Sequence, residues 1–151
     1  MKMRRLGLVA SLLIAVSIMT SGTSLAGDLF DKVYQNDIEG VKKLLAAGAD
    51  INEKTEVGGA GTVTPLYIAC NYYEDMAKLL ISEGADVNSK TSKGETPLMA
   101  ACYLSEEVAR LLIAKGANVN AKAKDGSTPL SLATKENDQE MVKLLKSLGA
   151  K

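Results

Sequence analysis

The sequence contains no histidine and no tryptophan, one phenylalanine and two cysteines. The first absence excludes most. Histidine is the commonest general base near neutral pH and the commonest metal ligand. Without it no Ser-His-Asp set, Cys-His pair or histidine-bearing zinc site can be built. The remaining candidates for chemistry are weak. Gly58-Gly59-Ala60-Gly61 is glycine-rich, but no Gly-Lys-Ser/Thr follows it, so it is not a phosphate cradle. Glu106 and Glu107 are adjacent and diverge on a helix, which makes them solvated surface. No catalytic residue, cofactor or metal is expected, and the chain reads as non-catalytic.

Aromatic residues make up 4% of the 151 positions. A core must therefore come from Leu, Ala, Val, Ile and Met, a palette suited to closely stacked helices. The length allows one domain. At 46% hydrophobic and 24% charged, the composition is ordinary for a globular protein. The 18 bases and 18 acids cancel, but Lys2, Arg4 and Arg5 fall in the first 26 residues, where there is no acid. Beyond residue 26 the balance is 18 − 3 = 15 bases against 18 acids, a net of −3. That argues against a nucleic-acid partner, which calls for a basic face.

Residues 1–26 have the order of an export signal. Met1–Arg5 is basic, Leu6–Met19 is apolar, and Ser24-Leu25-Ala26 is a small-x-small cleavage pattern. The mature chain is expected to begin at Gly27 and to take the general-secretion route, with no stable membrane insertion afterwards. The alternative is an uncleaved anchor, but its apolar stretch is short of the ~20 residues that span a bilayer. No Cys follows the cleavage point to carry a lipid, and Arg4-Arg5 lacks the surroundings of a twin-arginine signal.

The remaining sequence repeats. Thr64-Pro65-Leu66 recurs at Thr96 and at Thr128, offsets of 96 − 64 = 32 and 128 − 96 = 32. Gly-Ala-Asp/Asn-Val/Ile-Asn stands at 48–52, 84–88 and 116–120, and Gly149-Ala150 begins it again. Thr is a good helix N-cap, and Pro suits the first helical turn, where its missing N–H would be unpaired anyway. Gly after each Leu-rich run supplies the left-handed residue that ends a helix. Two short helices fit between Thr and Gly, for example 65–71 and 74–83. Gly94 and Gly126 mark the turns between repeats.

This pattern resembles the ankyrin-repeat family over about residues 28–151, the whole expected mature chain. The resemblance implies an all-α solenoid of four helix–turn–helix repeats with short turn or hairpin fingers, at about 27–59, 60–92, 93–124 and 125–151. The family's signature histidine is replaced by Tyr67, Met99 and Ser131. The second and third repeats run 20 residues from Thr to Gly (84 − 64, 116 − 96) and the fourth runs 149 − 128 = 21. Their missing residue is assigned to the helix–helix turn.

In the second helices Lys43 aligns with Leu79, Leu111 and Leu144, and Lys146 aligns with Leu45, Ile81 and Ile113. Residues two apart on a helix point about 200° apart. The two lysines are therefore expected to face outward at opposite ends of a four-membered array, because terminal repeats need polar outer faces. Cys70 and Cys102 are one repeat apart. Stacked helices lie roughly 8–10 Å apart, beyond the ~7 Å limit for bridged Cα atoms, so two free buried thiols are expected.

In the family, partners usually lie against the concave side, touching turn tips, first helices and helix–helix turns. Carried onto this chain, the tips are Ser92, Lys93 and Glu95 in one finger and Lys124, Asp125 and Ser127 in the next. The first-helix ends are Tyr34, Asn71-Tyr72, Tyr103-Leu104 and Lys135. The tyrosines form either a half-apolar binding ridge or a cover over backbone left bare by the short turns. The first finger is four residues longer than the others, Asn52–Thr64 against Asn88–Thr96, and its insertion at Thr55–Thr62 is expected to be mobile and available for recognition. The functional expectation is a periplasmic bacterial protein, monomeric by itself. It would bind a protein as an accessory, protective or immunity-like inhibitory subunit. The competing class is a secreted factor that acts on host proteins.

Overall fold

The computed structural model describes residues 25–58 and 61–151. The expected leader lies outside the described residues as far as Ser24. Four helix pairs follow one another: α1 (Leu25–Tyr34) with α2 (Ile38–Ala46), α3 (Pro65–Tyr72) with α4 (Glu74–Ser82), α5 (Pro97–Ala101) with α6 (Glu106–Ala114), and α7 (Pro129–Lys135) with α8 (Gln139–Ser147). The first helices pack on one another in the order α1, α3, α5, α7, and α4, α6, α8 form a second row. This is the all-α solenoid expected from the repeat. Its one sheet among the described residues is a hairpin of β1 (Thr55–Val57) and β2 (Gly61–Val63).

The repeated residues act as their spacing implies. Thr64, Thr96 and Thr128 cap α3, α5 and α7, each accepting a hydrogen bond from the N–H three residues on, with Pro in the first turn. Gly48, Gly84, Gly116 and Gly149 end the second helices at φ between 87° and 92°, a conformation a Cβ disfavours. Between repeats, the third residue of each Gly-Ala-Asx motif folds back on the fifth: Asp50, Asp86 and Asn118 accept from the N–H of Asn52, Asn88 and Asn120. The fifth residue then reaches across to the next repeat. Asn52 accepts from Asp86 N, Asn88 from Asn118 N and Asn120 from Lys151 N, all at 2.8 Å. Asn88 and Asn120 also donate to the carbonyls of Gly116 and Gly149.

Leu66, Met76, Leu80, Leu98, Leu112, Met141 and Leu145 are fully buried in one continuous core, while Met99 is buried separately, against Ala121, Ala123 and Leu132. Cys70 and Cys102 are buried in the continuous core as two separate thiols. Burial pushes both up, Cys102 to about 12, so neither is a reactive thiolate. Lys43 and Lys146 are both exposed. The residues aligned with them are buried, as Ile81 and Leu144 are, or half-buried, as Leu45, Leu79, Leu111 and Ile113 are.

The residue missing from the inner repeats can be identified. α1 and α2, like α7 and α8, are joined through a left-handed asparagine, Asn36 (φ 57°) or Asn137 (φ 53°). An aspartate N-cap follows each, Asp37 or Asp138. In the second repeat Tyr73 alone separates α3 from α4, and in the third Ser105 caps α6 with no left-handed residue before it.

The long first finger is a hairpin, one of the two forms expected of the fingers. Its stem is paired, with Thr55 opposite Val63 and Val57 opposite Gly61, where β-branched residues favour the extended chain. The second finger extends the pairing through Ser92 N to Thr62 O, and the third through Lys124 N to Lys93 O. The three fingers thus form one hydrogen-bonded row.

Candidate interaction surface

The residues singled out in the sequence fall on the fingers and on the far ends of the first helices, but they do not share one environment. Between the second and third fingers lies a shallow open groove of about 200 Å³, lined by Ser92, Lys93, Glu95, Ala123, Lys124 and Asp125. Five of those six are the fingertip residues expected on the concave side. Ala123 lines the groove while packing against Met99 and Ala121 beneath, and the two fingers approach closely because Gly94, at φ 79°, has no Cβ. One would stand 3.2 Å from Lys124 N and 3.4 Å from the Cα of Ala123.

The acids at this groove are already engaged. Glu95 accepts from the hydroxyl of Tyr67 at 2.9 Å and from that of Thr91, while Thr91 accepts from the N–H groups of Lys93 and Glu95. Burial, then the Glu95 charge and hydrogen bond, push the Tyr67 phenol upward and keep it a donor. One position of the absent histidine thus carries a tyrosine that ties the second repeat to the second finger. Asp125 accepts from the N–H and the hydroxyl of Ser127, bonds that hold its carboxyl below the usual range.

The tyrosine ridge is only partly realised. Tyr72 and Tyr103 are 47% and 38% exposed. Tyr34 is half-buried and stacks on Phe30 with ring centroids 6.3 Å apart. The covering role belongs to Tyr73, which spacing alone does not single out: its hydroxyl donates to the carbonyl of Tyr34 at 2.9 Å, across the junction of the first two repeats. Its position in a turn one residue short was the available signal. Asn71 is turned back on its own helix and donates to Tyr67 O. Leu104 is half-buried, and Lys135 is exposed at the end of α7.

A family model for ankyrin repeats matches residues 29–123 and 75–151. The chain belongs to the ankyrin-repeat family, whose stacked helix pairs serve as protein-interaction modules. Among characterised proteins it is similar to human protein phosphatase 1 regulatory subunit 27, at 41% identity over 68 residues. That match takes in 44% of this chain and 42% of the relative, so the chain spans less than half the relative's length.

Proposed function

We propose that the chain is a non-catalytic protein-binding subunit that works outside the cytoplasm, in a bacterial periplasm, as an accessory, protective or inhibitory partner of another protein. The observation that carries the binding reading is the pair Tyr72 and Tyr103, large half-apolar side chains exposed at successive helix–helix turns. Tyr is enriched among residues that dominate interfaces. The similarity to a phosphatase regulatory subunit supports a regulatory rather than a catalytic part.

The extracytoplasmic reading is supported by the basic, apolar and small-residue order of residues 1–26. Cleavage before Gly27 would remove Leu25 and Ala26 from the start of α1 and leave its buried residues Leu29, Phe30 and Val33 in place. Mass spectrometry of protein from the periplasmic fraction should give a chain beginning at Gly27. An intact Met1 on cytosolic protein would retire the location. For the surface, Tyr72→Ala with Tyr103→Ala should weaken binding to a co-purifying protein by about 2 kcal/mol or more and move the melting midpoint little. A large fall in midpoint with unchanged affinity of the folded fraction would remove the tyrosines from the interface.

A further inference from the structure

We propose that the outer edge of the first finger pairs with the same edge of a second copy of this chain, β1 antiparallel to β1, in a register centred on Thr55. The backbone makes that edge available. Opposite residues of an antiparallel pair either exchange hydrogen bonds or both turn their N–H and C=O groups away. The Thr62 carbonyl accepts from Ser92 N of the second finger, so Thr62 faces away from β1. Glu56 lies opposite Thr62 and therefore turns its own N–H and C=O to the far side. Exposure alternates from Glu53 to Val57, with Lys54 and Glu56 exposed and Glu53, Thr55 and Val57 half-buried. The alternation thus begins before the strand, and Lys54 shares the direction of Glu56. Among the described residues no finger precedes the first, and neither Lys54 nor Glu56 makes a backbone hydrogen bond outside the hairpin.

The side chains decide what fits this edge. An antiparallel copy centred on Thr55 sets Lys54 of each molecule opposite Glu56 of the other, and each such pair exchanges two backbone hydrogen bonds. Thr55 meets Thr55, a cross-strand pair whose hydroxyls can bond. A shift of two residues sets Glu56 against Glu56 or Lys54 against Lys54, which repel. A shift of one turns the free N–H and C=O groups out of register. Within the chain neither Lys54 nor Glu56 is in an ion pair among the described residues, so both are free to meet a second copy. Charged side chains guard many exposed edges against pairing; here their change of sign admits one register. Surface ion pairs add little energy, so they choose the register while main-chain bonds hold it, as in other strand additions. The contact is the same patch on both molecules and closes at two copies. An edge this short buries less than about 1,000 Å², and the dimer is accordingly weak, half-formed on the order of 0.1–1 mM. It joins two rows of fingers into one sheet, where the sequence read by itself gives a monomer.

Sedimentation equilibrium of the full chain at rising concentration should show monomer passing to dimer and no further, and the Glu56 amide should exchange more slowly in the dimer. Lys54→Glu and Glu56→Lys should each weaken self-association by about tenfold or more at an unchanged melting midpoint, because each sets like charges opposite one another. Mixed in equal amounts, the two variants should associate with each other as tightly as the wild type does, since every facing pair is then opposite in sign. Both substitutions in one chain should restore the homodimer for the same reason. A chain that stays monomeric at about 1 mM would overturn the inference, as would association that neither single substitution changes. Association that weakens in the single variants but does not return on mixing overturns it too, because charge would then matter without the β1 pairing. Growth past the dimer would mean head-to-tail contact and overturn the shared edge.

Discussion

The outer and inner repeats solve the same turn differently. In the outer repeats, Asn36-Asp37 and Asn137-Asp138 make a self-contained joint: asparagine takes the left-handed conformation and aspartate caps the next helix. In the second repeat one residue fewer leaves no left-handed position, and Tyr73 serves as C-cap of α3 and N-cap of α4 without a side-chain cap bond. Its hydroxyl reaches back to Tyr34 instead. The third repeat is as short, yet Ser105 caps α6 with its own side chain, so the shorter turn reaches back to its neighbour's backbone only where no capping side chain stands in its place. The inner turns also bring Tyr72 and Tyr103 to the surface.

The largest test of this contrast compares the interior of the stack with its end. Ile81 is 3% exposed in the register that Lys146 holds at the fourth repeat. Ile81→Lys should destabilise by about 3 kcal/mol or more, because a buried charge has no partner there. Ile113→Lys should cost less, since Ile113 is half-buried. Thermal melts followed by circular dichroism rank the two, and an Ile81→Lys protein melting like the wild type would refute the register.

Acid should come next. Asp37 is held below its ordinary value of 3.8 by Lys32 and by Gly40 N–H, and Glu74 below 4.5 by Lys78 and Ser105. Groups with depressed folded values add stability that is fully present above the unfolded value and lost as pH falls through the folded one. With no histidine and both thiols pushed up, the melting midpoint should stay flat from about pH 5.5 to about pH 8 and fall below about pH 4. A step near pH 6.5 would contradict this.

A smaller effect separates the two kinds of turn. Asp138→Ala removes a cap worth about 1 kcal/mol, and hydrogen exchange should quicken in α8 alone. Tyr73→Phe removes one hydrogen bond, about 1 kcal/mol, yet exchange should quicken in α1 as well as α4. If both variants loosen only their own repeat, the inner turn is no more coupled than the outer. The smallest effect on stability belongs to Lys146→Leu. Its melting midpoint should match the wild type, while sedimentation reveals self-association through the widened apolar end, where Leu148 is already exposed.

Most of the fold was legible because its signals are local. Thr-Pro and Gly fix helix ends through backbone conformation and capping, and the shift of Lys43 against Lys146 gives the register. The shortened turn was also legible, although not the substitute for it, since the Tyr73–Tyr34 bond joins residues 39 apart. Exposure at the candidate surface was legible for Tyr72, Lys93 and Lys124. It failed for Asn71 and Glu95, which are half-buried, because their hydrogen bonds depend on rotamers that spacing does not determine. The fingers were legible as turns or hairpins, but not the register of the first one, since the apposition of Thr55–Val57 with Gly61–Val63 leaves no periodic signal in so short a segment.

The asparagine joint between repeats carries a form of chemical ageing in its design. Asn88 uses both halves of one exposed amide, accepting from Asn118 N at 2.8 Å and donating to Gly116 O at 2.9 Å. A carboxylate only accepts. Slow hydrolysis of that amide to aspartate would keep the first bond and replace the second with a negative oxygen facing a carbonyl. The same holds for Asn120 with Lys151 and Gly149. Old molecules would then open at these seams first, one repeat at a time, while each helix pair stayed intact.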